Sequence, residues 1–126
     1  MGNLKLMIFA VAVFAAVVFC GDVETVSAQR SSMEWRGTVD DVVQIRIRNR
    51  NAQVRHITGR EYFDSDFNFD GRAPRQNANV RIEKRDGRGR IFVVQEPNRR
   101  NNFTTIVQIV DSKGGPDRYR FNLYWD

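Results

Sequence analysis

The sequence predicts a single all-β domain, an antiparallel β-sandwich of about seven or eight strands with a small β-barrel as the alternative, on three observations. After residue 29 no run of apolar residues recurs at spacings of three and four for more than two helical turns. Alternation of apolar and polar residues fills the chain instead, the period of a strand with one buried face. Gly, Asn, Asp and Pro interrupt that alternation about every 8–12 residues, the spacing of short strands joined by turns.

In "MEWRGTV" Trp35, Gly37 and Val39 share a face, and in "VVQIRIR" Val43, Ile45 and Ile47 share one, with Gln44, Arg46 and Arg48 opposite. Asp40-Asp41 is short enough for a tight connection between these strands, and Asn49-Arg50-Asn51 does the same before "AQVRHIT", which predicts an opening three-stranded meander. "ANVRIEKR" sets Ala78, Val80 and Ile82 against Asn79, Arg81 and Glu83, and runs into Asp86-Gly87, the strongest hairpin signal in the chain. "RIFVVQE" is apolar on both faces, as expected of a central strand covered twice, and Pro97 stops it. "FTTIVQIV", Phe103 to Val110, is also two-sided. The turn "SKGGPD" then leads into "RYRFNLYW", where Tyr119, Phe121, Leu123 and Trp125 face one way and are expected to close the core.

Residues 1–28 read as a cleaved secretory signal: Lys5 and the amino terminus are positive, Leu4 to Phe19 is nearly all apolar, and Val26-Ser27-Ala28 precedes the cut. About 16 apolar residues fall short of the ~20 that span a bilayer, so no stable membrane insertion is expected after cleavage. Cys20 invites comparison with a lipid-anchored cysteine, but bulky Phe19 adjoins it, which disfavours anchoring. Residues 29–32 are expected to form a short linker and 33–126 the domain. Cleavage removes the sole cysteine, so the domain must fold without a disulfide, which favours a bacterial periplasmic or secreted protein over an animal one.

Loss of Lys5, Asp22 and Glu24 raises the formal net charge by one from +5. Seventeen arginines stand against three lysines in the whole chain, and arginine suits planar, bidentate contact with phosphate, sulfate or carboxylate. Arg46 and Arg48 point outward from one expected strand and Arg81 and Arg85 from another, with Arg88 and Arg90 at the following turn. If the two strands were neighbours, a basic stripe for a polyanion such as an acidic envelope polymer would result; otherwise the arginines solvate the sheet. Nucleic acid is disfavoured because the aromatics fall on core parity.

The segment "DSDFNFDG" carries the first half of a calcium-loop pattern in Asp66, Asn68, Asp70 and Gly71. Asn77 stands at the twelfth position where the loop wants a bidentate Glu, and Arg72 and Arg75 oppose a cation. The same residues also alternate as a strand, with Phe63, Phe67 and Phe69 inward and the acids outward, so weak calcium binding is the lesser reading and no cofactor is expected.

No catalytic motif emerges. His56 is the sole histidine, Ser31, Ser32, Ser65 and Ser112 lack a nucleophile context, and Asp40, Asp41, Glu83 and Asp86 each have a turn or strand role, so the chain is not expected to be an enzyme.

The tokens Trp35-Arg36-Gly37, Val39-Asp40-Asp41, Arg88-Gly89-Arg90 and Tyr119-x-Phe121-x-Leu123-x-Trp125 resemble those of small exported bacterial β-domain proteins of unassigned activity. The resemblance implies export and an all-β fold and carries no functional residue. The expectation is a non-catalytic binding or structural module whose partner is an acidic envelope polymer or an envelope protein.

Overall fold

The computed structural model describes residues 31–126, so the expected signal segment and Cys20 lie outside the described residues. Eight strands follow one another: β1 (Ser31–Val39), β2 (Val42–Arg48), β3 (Asn51–Thr58), β4 (Asp66–Asp70), β5 (Val80–Asp86), β6 (Arg90–Gln95), β7 (Thr105–Val110) and β8 (Asp117–Trp125). They form two antiparallel four-stranded sheets, ordered β4-β1-β8-β5 and β3-β2-β7-β6, packed face to face as a β-sandwich. β1 already includes Ser31 and Ser32, paired with Trp125 and Tyr124, so these residues of the expected linker belong to the sheet.

In β1, β2, β4 and β8 the inward face is the one the alternation marks, whereas β7, apolar on both faces in sequence, turns Val107 and Ile109 inward. Met33, Trp35 and Val39 of β1, Val43, Ile45 and Ile47 of β2, Val107 and Ile109 of β7, and Tyr119, Phe121, Leu123 and Trp125 of β8 make one continuous buried core. The rings are oriented as well as buried. Trp35 stacks on Phe121 at 5.7 Å, and Phe69 stacks on Trp125 at 6.2 Å with planes 4° apart. Trp125 Nε1 donates to Thr105 Oγ1 at 2.9 Å, a fully buried bond that ties the two sheets together and satisfies the indole.

Strand pairing departs from the sequence expectation at three points. The opening meander does not form: β2 and β3 are a hairpin, but β1 pairs with β4 and β8, so Asp40-Asp41 carries the chain from one sheet to the other. Asp86-Gly87 is likewise a crossover and not a hairpin, because β5 pairs with β8 and β6 with β7. β6 is an edge strand and not a central one; Val94 is 49 % exposed beside a bulge between Val93 and Gln95. The true central strands are β1, β8, β2 and β7, whose buried side chains form the core and recruit the edges.

β7 starts at Thr105, two residues later than Phe103, because Asn102 and Phe103 both adopt left-handed backbone (φ 58° and 56°) after a single 3₁₀ turn, Arg99–Asn101. The β2–β3 turn is also left-handed, with Asn49 at φ 53° and Arg50 at φ 60°, the geometry that matches hairpin twist and usually falls to Asn-Gly. A non-glycine residue there costs about 1–2 kcal/mol, so Arg50 occupies a place that glycine would fill more cheaply.

Candidate functional surface

The strands divide the charges unequally between the two sheets. In the β4-β1-β8-β5 sheet, Glu34, Asp66, Asp70, Glu83, Asp86 and Asp117 stand against Arg36, Arg81, Lys84, Arg85, Arg118 and Arg120, so the formal charge of its strands cancels. These charges are also joined: Arg36 to Asp66 at 3.0 Å, Arg120 to Glu34 at 3.5 Å and Arg85 to Glu83 at 3.7 Å. Arg81 lies over the Tyr124 ring at 4.2 Å. Hydrogen bonds from Asn122 and then from Tyr124 hold Glu83 below the ordinary carboxylate range.

The four strands of the β3-β2-β7-β6 sheet contain no Asp or Glu at all. Their arginines, Arg46, Arg48, Arg55 and Arg90, are all exposed on the outer face. Arg46 and Arg48 alternate along β2, and Arg55 of β3 lies diagonal to Arg46 because Gln44 pairs with Arg55 and Arg46 with Gln53. Diagonal neighbours sit roughly 7–8 Å apart, within the span of one charged polymer segment. Arg90 stands on the far edge, its guanidinium 5.4 Å from the Phe92 ring centroid. None of the four makes an ion pair among the described residues. Between them runs a row of neutral groups: Gln44 Nε2 donates to Gln108 Oε1 at 2.9 Å, and Phe92 pairs with Gln108 on the other side.

The six arginines singled out from the sequence therefore do not form one site. Arg46, Arg48 and Arg90 share the outer face just described, whereas Arg81 and Arg85 lie on the opposite outer face, since β2 and β5 belong to different sheets. Arg88 is committed elsewhere. Its Nε donates to Asp111 Oδ1 at 2.9 Å, and its Nη2 donates to Asp111 Oδ2 at 3.2 Å and to the Gly114 and Gly115 carbonyls at 2.8 and 2.7 Å. Arg55 was not singled out. The signal for it is the absence of any acidic residue from "NAQVRHIT", the strand that carries it.

Asp66, Asn68 and Asp70 occupy alternate exposed positions of β4, with Phe67 and Phe69 turned toward the core. Such positions lie about 6.6–6.8 Å apart along a strand, so the three oxygens are spread along an edge and do not converge. Asp66 is further occupied by Arg36 and by the Phe67 amide, which donates at 2.9 Å. Phe63, expected inward, precedes β4 and is 87 % exposed; at this point Asp64 turns back to bind Thr38, and Ser65 accepts from Trp35 Nε1 at 2.8 Å.

The carboxylates considered for catalysis are dispersed. Asp40 accepts from the Arg60 amide at 2.6 Å, Asp41 from Thr58 at 2.8 Å and Asp86 from the Gly87 amide at 2.9 Å, each bracing a loop. His56 Nε2 sits 3.1 Å from the Tyr62 carbonyl, which only accepts, so the proton is on Nε2 and the ring anchors the loop after β3.

No helix among the described residues is long and apolar enough to cross a membrane. Comparison with known proteins finds no matching family model, no matching curated relative and no matching solved structure, so the functional reading rests on the chemistry of these surfaces.

Proposed function

We infer that this chain is an exported, non-catalytic β-sandwich module that binds an acidic glycan on the outer face of the β3-β2-β7-β6 sheet. The observation that carries the reading is the charge division: one sheet's strands cancel their charges, while the other bears four arginines and no carboxylate. A flat sheet face offers little depth for a small ligand but matches an extended polymer. Arg46, Arg48 and Arg55 supply bidentate donors for carboxylate, sulfate or phosphate substituents, and the Gln44–Gln108 row and the Phe92 edge suit hydroxyls and sugar faces.

The test is retention on immobilised heparin as a function of salt. Binding at low salt, released steeply as salt rises, is expected. Replacing Arg46 and Arg55 together by Gln should lower the slope of log K against log salt by roughly one to two, while replacing Arg36 and Arg120 on the other sheet should leave it nearly unchanged. Equal losses from both pairs would reduce the effect to net charge and sink the assignment to this face.

A further inference from the structure

We propose a separate oxyanion site in the cleft between the β2–β3 turn and residues 72–75, lined by Arg50, Arg72 and Arg75 with Asn49 and Ala73, which takes the phosphate or sulfate group of a small ligand. The cleft measures about 400 Å³, and among the described residues no carboxylate lines it. Asp70, the nearest acid in sequence, faces a different depression with Ser31, Ser32, Arg81 and Tyr124.

The three arginines line one cleft, and local structure restrains the chain on both of its sides. Arg50 is held by donating Nη1–H to the Gly71 carbonyl at 2.8 Å and by lying 5.9 Å from the Phe69 ring centroid, which leaves its other N–H donors available. Pro74 fixes its own φ and restricts Ala73 to extended backbone, so Arg72 and Arg75 stand on either side of a stiff dipeptide. Neither Arg72 nor Arg75 has a partner among the described residues, and both are exposed.

Two features of this arrangement are unfavourable for folding alone. Like charges gathered around one cleft repel, and Arg50 holds a left-handed φ of 60° where a two-residue hairpin turn ordinarily has glycine. Strain and unneutralised charge at one place are what a binding site retains, and a dianionic group relieves the repulsion while accepting several charge-assisted hydrogen bonds. The volume exceeds that of a lone tetrahedral ion, so a phosphorylated or sulfated sugar fits the cleft as well as the free ion does.

The site lies at the turn between β2 and β3, off the outer-face arginines, and stands or falls separately from the glycan reading. The experiment is an NMR titration of the full chain at low ionic strength, following arginine Nε–H and the Gly71 and Ala73 amides. Inorganic phosphate and glucose 6-phosphate are the probes, with chloride as a monoanion control. Saturating shifts at Arg50, Arg72 and Arg75 with either dianion, and not with chloride, are expected. Inorganic phosphate alone would identify the free ion as the ligand; glucose 6-phosphate binding more tightly would identify the ester. Arg72→Gln combined with Arg75→Gln should weaken binding at least tenfold with Tm unchanged. Shifts that do not saturate, that chloride reproduces, or that survive the double substitution would overturn the proposal.

Discussion

The hydroxyl of Tyr119 accepts a hydrogen bond from the Gly89 amide at 2.7 Å while its ring fills the space where a side chain on Gly87 would begin. A Cβ on Gly87 would come within 2.2 Å of the ring, and the residue has φ 120°. One tyrosine of a central strand thus clamps both glycines of the crossover between the two sheets. Gly87→Ala should destabilise the domain by roughly 2–4 kcal/mol, from backbone strain added to displacement of the ring. Tyr119→Phe should cost about 1–2 kcal/mol, since it leaves the Gly89 amide without its acceptor. Thermal melts should show the glycine variant as the worse of the two. Burial raises the Tyr119 pKa above the usual tyrosine value, so the unfolded chain ionises first. Its contribution is therefore full below about pH 10 and is lost as pH rises through the folded value, an alkaline loss that Tyr119→Phe should lack.

Asp111 is 1 % exposed, and its carboxylate meets the Arg88 guanidinium at two points. The Arg88 side chain is 38 % exposed, so an unmatched guanidinium reaches water, whereas an unmatched Asp111 carboxylate stays buried, which is the costlier outcome. Arg88→Met, which strands a buried carboxylate, should therefore lower Tm more than Asp111→Asn, by ~10 °C or more. A smaller loss for Arg88→Met than for Asp111→Asn would show that the buried carboxylate is tolerated without its partner and would overturn this argument.

Asp64 receives the Thr38 hydroxyl at 2.6 Å and the Thr38 amide at 3.0 Å, and the hydroxyl bond is the main cause of its depressed pKa. A carboxylate whose folded pKa is depressed adds stability above its unfolded pKa, near ~3.9, and loses that contribution as pH falls through the folded value. Thr38→Val should move the Asp64 titration upward in a carboxyl ¹³C experiment and shift the onset of acid unfolding to higher pH. An unchanged titration would mean that the Thr38 amide alone sets the value.

Parity was legible where burial on one side leaves a period of two, and β2, β4 and β8 read correctly residue by residue, whereas β6 and β7 are apolar on both faces and gave no parity. Pairing was not legible. Asp40-Asp41 and Asp86-Gly87 are local reversals whose chemistry is the same whether the next strand joins the same sheet or the facing one. The candidate surface depended on that nonlocal choice: Arg46 and Arg81 look alike along the chain, and only sheet membership places them on opposite faces. Charge balance, by contrast, was readable strand by strand, since "VVQIRIR", "NAQVRHIT", "RIFVVQ" and "TIVQIV" lack acids. Arg88 gave no such signal, because its partner Asp111 lies beyond the end of β7.

Deletion of residues 123–126 tests how far the sandwich depends on its last strand. β8 pairs with β1 on one side and β5 on the other, so the deletion leaves Val80 and Ile82 of β5 and Ser31 to Met33 of β1 without their β8 partners. It also removes two core side chains, Leu123 and Trp125, the inter-sheet bond from Trp125 to Thr105, and the stack that holds Phe69. Loss of one large core side chain typically costs about 2–5 kcal/mol, so losing two approaches the roughly 5–15 kcal/mol that keeps a domain folded. The truncated chain should show no cooperative melt and should lose near-UV circular dichroism from Trp35, which stacks on the neighbouring Phe121. A cooperative transition in that chain would mean that the β1–β2–β7 part of the core folds without the end of β8.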